Sequence, residues 1–113
     1  MGMGIGINDE KTDEGRLKGR QEPVACSVWF TSTGRLLPRM MKYKEADGEI
    51  VVISDIHVES SDRKNYCGIP VLSFECSAAA GNTVVWFRLL YYVERQRWCV
   101  IWRENHSNSF RIT

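Results

Sequence analysis

Within residues 70–79 apolar and polar side chains alternate cleanly from 72 to 78: Leu72, Phe74, Cys76 and Ala78 take one side, Ser73, Glu75 and Ser77 the other. Successive side chains of an extended chain point to opposite faces, so this period of two reads as a strand with one buried face. No stretch carries a sustained helical period. A chain patterned this way has to bury its apolar side within a sheet.

The same reading extends in both directions. Over residues 24–31, Val24, Cys26, Val28 and Phe30 share a face opposite Ala25, Ser27, Trp29 and Thr31. Ser32-Thr33-Gly34 turns the chain into residues 36–44, where Met41 and Tyr43 alternate with Lys42 and Lys44 and Pro38 suggests an edge. Asp47-Gly48 is a hairpin signal leading into residues 50–58, with Ile50, Val52, Ile56 and Val58 expected on one face. Gly81-Asn82 joins residues 70–79 to 83–93, and a polar turn at 94–97 leads into 98–103. The polar stretch 59–65 reads as a loop. The expected fold is therefore all-β, a small six-stranded antiparallel barrel or sandwich.

Residues 1–22 hold five glycines, four basic and five acidic side chains. Few of their side chains are large and apolar, so a flexible, disordered polar tail is expected there. Residues 23–113 then form a single β domain, the usual organisation at 113 residues.

Charge and hydropathy narrow the function classes. Fifteen Lys and Arg against fourteen Asp and Glu leave a net charge of +1, so no overall field recruits nucleic acid or an anionic membrane. The notable apolar runs, 84–87, 89–93 and 98–102, are four or five residues long, whereas a membrane-spanning helix needs about 20. Residues 1–7 lack the basic region and apolar stretch of a signal peptide. Cys26, Cys67, Cys76 and Cys99 are then read as reduced thiols, and the expected location is cytoplasmic.

The local match with the most chemistry is residues 50–58, where a β-branched strand ends in Asp55-x-His57. A carboxylate and an imidazole two residues apart on an extended chain project to the same side and can share one ion. This stretch resembles the opening motif of metallophosphoesterases, and the resemblance implies metal-dependent phosphoester hydrolysis at Asp55 and His57. It covers about nine residues. The family's Gly-Asp motif is absent, and Asn105-His106 is flanked by Glu104 and Ser107 where the family carries glycine and an acid. With two histidines and no closely spaced cysteine pair, neither a metal site nor a cofactor is expected.

The most distinctive composition is in residues 84–93 and 98–103, which carry large apolar side chains on both strand faces. If Val85, Phe87, Leu89 and Tyr91 point inward, then Val84, Trp86, Arg88, Leu90 and Tyr92 form a second apolar face that something must cover. Trp, Tyr and Arg are the residue types that concentrate binding energy. The leading expectation is a non-enzymatic module that docks a protein partner or a second copy of itself, as a small inhibitor or adaptor would. The binding surface would use Trp29, Trp86, Arg88, Tyr92, Trp102 and Arg103. Residues 84–113 also contain five arginines against Glu94 and Glu104. Arginine interleaved with aromatic rings makes single-stranded nucleic acid the alternative ligand, and the phosphoesterase-like site a second alternative.

Overall fold

A computed structural model describes residues 19–103, and they form an all-β, half-barrel-like curl of antiparallel strands. The strands are β1 (Glu22–Phe30), β2 (Leu36–Lys44), β3 (Ile50–Ile53), β4 (His57–Tyr66), β5 (Ile69–Ala80), β6 (Thr83–Tyr92) and β7 (Arg97–Trp102). Their order across the sheet is β3-β2-β1-β7-β6-β5-β4. The tail expected over residues 1–22 falls mostly outside the described residues, as do Asn105 and His106. Glu22 itself opens β1.

This order forces the curl. β3 and β4 are the two edges of the sheet, yet only Ser54, Asp55 and Ile56 separate them. Such a link spans at most about 14 Å, whereas the edges of a flat seven-stranded sheet would stand roughly 29 Å apart. The edges must therefore approach each other. Asp55, in the left-handed region at φ 54, makes the corner, and the Ile56 amide donates to the Arg39 carbonyl at 3.1 Å. β1 divides its pairing in the same way. Its start pairs with β7 through Glu22, Pro23 and Val24, and the remainder pairs with β2 from Ala25 to Phe30.

The core fills the inside of the curl. Met41, Phe74, Cys76, Phe87, Leu89 and Val100 are at most 3% exposed. Trp98 and Trp102 close around them, with Tyr91 and Trp98 ring centroids 4.9 Å apart and Phe87 and Trp102 5.6 Å apart. The alternation expected along β5 and β6 is observed: Phe74 stands opposite Leu89 and Cys76 opposite Phe87, all four buried.

Three expectations need correction. There are seven strands rather than six, because the polar stretch 59–65 is most of β4, paired with β5 and turned by Cys67-Gly68. Both turn residues have positive φ, 51 and 82, the combination that a tight two-residue hairpin turn requires. The residues expected to share a face in 50–58 are divided between faces, since Ile56 is buried and Val58 packs against the core while Ile50 and Val52 point outward and Val51 and Ile53 turn inward. Pro38 is buried in an interior strand, in the part of β2 that β3 does not flank and beside a bulge at Ser27 and Val28.

Candidate binding surfaces

The outer face of β5, β6 and β7 carries most of the surface expected from sequence, and it is largely occupied by its own contacts. Glu75 projects outward from β5 between two arginines. Its carboxylate accepts from Arg88 Nε at 2.6 Å and from Arg103 Nη1 at 2.9 Å. Beside it, the Ser77 hydroxyl donates to Glu59 at 3.0 Å, and His57 Nε2 lies 3.7 Å from the same carboxylate oxygen. Trp86 stands opposite Ser77 and is 37% exposed.

Further along, Val71 and Leu90 are fully buried and Ile101 nearly so. The chain entering β1 runs over this end, since a Cβ on Gly19 would stand 2.8 Å from Ile101 Cγ2. The Tyr92 hydroxyl donates to Gln21 Oε1, and burial pushes the Tyr92 pKa up. Arg88, Arg103 and Tyr92 thus belong to internal contacts. Glu75→Gln is expected to lower stability by about 1 kcal/mol, read as a shift of the urea midpoint that shrinks as salt is raised.

Trp102 is not on this face. It pairs with Phe87 and so shares the inward side, where its indole N–H donates to Glu22 at 3.4 Å and its ring meets Tyr43 edge-on at 5.4 Å. It lines a cavity of about 820 Å³ at one end of the curl, together with Arg20, Glu22, Tyr43 and Lys44. Burial, then the charges of Glu45 and Glu22, push the Tyr43 pKa up.

The open surface lies on the other half of the molecule, on the outer side of β1, β2 and β3. Trp29 is 63% exposed at the end of β1, and the Arg39 guanidinium sits 5.7 Å from its ring centroid. On β3, Ile50 and Val52 are 55% and 49% exposed and stand opposite Lys44 and Lys42. Lys42 in turn faces Ala25, and the half-buried Met40 faces Ser27, which joins β3 to Trp29 across the sheet. Arg39, Lys42 and Lys44 have no acidic partner among the described residues. Among the described residues of these three strands and their turns, Glu45, Asp47 and Glu49 sit at the β2–β3 turn and Glu22 lies on the inward side against Trp102. Of the residues singled out from sequence, only Trp29 is here. The run Ile50-Val-Val-Ile53 contains no polar residue to reveal its phase, so the sequence does not separate Ile50 and Val52 from the core-facing Ile56 and Val58.

Asp55 and His57 are both exposed on either side of the β3–β4 corner. Among the described residues no three His, Cys, Asp or Glu side chains converge as metal ligands. Burial pushes the Cys26 and Cys76 thiols up to about 12, the Cys26 charge adding to the effect on Cys76. No helix among the described residues is long and apolar enough to cross a membrane. Comparison with protein-family models, with curated proteins and with solved structures finds no match.

Proposed function

We propose that the chain is a non-enzymatic cytoplasmic binding module that docks a protein partner through the outer face of β1, β2 and β3. The observation that carries this reading is the juxtaposition of exposed Trp29, Ile50 and Val52 with Arg39, Lys42 and Lys44, three cations that have no acidic partner among the described residues. Large apolar side chains left in water on a sheet face are costly unless a partner covers them. The partner's matching surface is apolar and acidic, since Arg39, Lys42 and Lys44 would otherwise lose their hydration without compensation. Aliphatic Ile50 and Val52 favour protein over single-stranded nucleic acid, whose bases need stacking rings rather than methyl groups.

A photo-crosslinking residue placed at Val52 tests the reading in the full-length chain. The expected result is a discrete adduct with a protein partner, lost when Lys42 and Lys44 are both replaced by Glu and weakened about 30-fold by Trp29→Ala. The same crosslinker at Val84 gives none. An adduct destroyed by nuclease would replace the partner with nucleic acid, and an adduct only with a second copy would make the face a dimer interface. Crosslinking from Val84 but not Val52 would return the surface to β6.

A further inference from the structure

The corner at Asp55 leaves the curl incompletely closed. β3 ends its pairing with β2 at Met41, so the first residues of β2 face β4 across a seam that no strand fills among the described residues. The seam holds a cleft of about 390 Å³ lined by Arg35 and Leu36 on one side, Ser61 and Arg63 on the other, and Leu72 and Phe74 at its floor. Ser61 and Arg63 are on the inward side of β4, opposite Phe74 and Leu72, yet both are exposed. Inward-facing polar residues with access to water are what an open slot in a barrel wall presents.

The charges in the slot are unbalanced. Asp62 also lines it, but its carboxylate is 3.7 Å from Lys64 Nζ and accepts the Arg63 amide at 2.9 Å. Neither the Arg35 nor the Arg63 guanidinium has an acidic partner among the described residues. Two unpaired guanidinium groups above an aromatic and aliphatic floor match an anion with an apolar body.

We propose that this seam binds a small organic carboxylate, its apolar body against Leu36, Leu72 and Phe74 and its carboxylate held by Arg35 and Arg63. The cleft volume is that of a small-molecule site. None of the lining residues lies on the outer face of β1, β2 and β3, so this site stands or falls separately from the docking surface.

Titration of the isotope-labelled full chain with naphthalene-2-carboxylate, followed by amide chemical shifts, tests it. Saturable shifts are expected at residues 34–36, 61–63 and 72–74. The uncharged naphthalene-2-carboxamide should bind about tenfold more weakly. Arg35→Gln with Arg63→Gln should weaken the carboxylate by about a further tenfold or more without changing the rest of the spectrum, since both side chains are exposed. Absence of saturable shifts, shifts located elsewhere, or equal affinity of the double variant would overturn the proposal. If Arg63→Gln merely increases self-association while the titration is unchanged, the arginines guard an open strand edge instead.

Discussion

Replacing Phe87 by alanine is expected to lower the unfolding free energy by about 3–5 kcal/mol, a large fraction of the roughly 5–15 kcal/mol that holds a typical domain. Phe87 has no exposed surface, sits between Cys76 on β5 and Trp102 on β7, and holds its ring 5.6 Å from that of Trp102. Its neighbours are held by pairing on both sides of β6, so they cannot collapse into the void, and the cavity adds to the lost transfer energy. Val84, three positions earlier on the same strand, is 58% exposed, and its replacement by alanine should change stability by less than about 0.5 kcal/mol. Urea unfolding of the two variants measures the difference. A larger cost for Val84→Ala than for Phe87→Ala would mean that β6 is turned the other way.

That β6 presents its odd-numbered residues inward could be read directly from the sequence, because Arg88 breaks the apolar run on one parity only. β5 was equally legible, since Ser73, Glu75 and Ser77 mark the outer face. The strands that escaped the reading lack such markers or carry them misleadingly. β4 contains Glu59, Asp62, Arg63 and Lys64, residues that rarely build a strand. It is one because it lies at a wet edge and pairs with only β5 over its length. Its turn is Cys67-Gly68 rather than an Asn or Asp followed by Gly, so the usual chemical signal for two positive φ values was missing.

The proposed docking surface is less legible than the fold, for a related reason. In β3 four β-branched residues follow one another, and only pairing with β2 decides that Val51 and Ile53 face the core. The residues expected to dock a partner were chosen by type, yet Arg88 and Arg103 are engaged by Glu75, at 13 and 28 residues' separation, and Trp102 by the interior. Pair partners that far apart in sequence are set by register and leave no local trace. Trp29 is exposed because it lies where β1 has left β7 and nothing among the described residues covers its outer side.

The interior also sets how the protein responds to alkali. Desolvation raises the Cys76 thiol from an ordinary value near 9 to about 12, and Cys26 is raised to the same level. Below pH 9 both folded and unfolded chains keep these protons, so the thiols contribute their full stabilisation and no slope. Between pH 9 and 12 the unfolded chain loses a proton that the native one retains. Stability then falls by about 1.4 kcal/mol per pH unit for a fully buried thiol such as Cys76. Tyr43 and Tyr92, also raised by burial from an ordinary value near 10, add a loss in the same direction once the unfolded phenols begin to titrate. Cys76→Ala removes one thiol's share and leaves the others, so the urea midpoints of the variant and the parent chain should run parallel below pH 8.5 and converge above pH 9. The variant starts lower, having lost a buried sulfur, and the gap closes because the parent alone pays for a proton at position 76. Parallel lines up to pH 11 would show that the Cys76 thiol ionises in the folded chain, and hence that water reaches the core inside the curl.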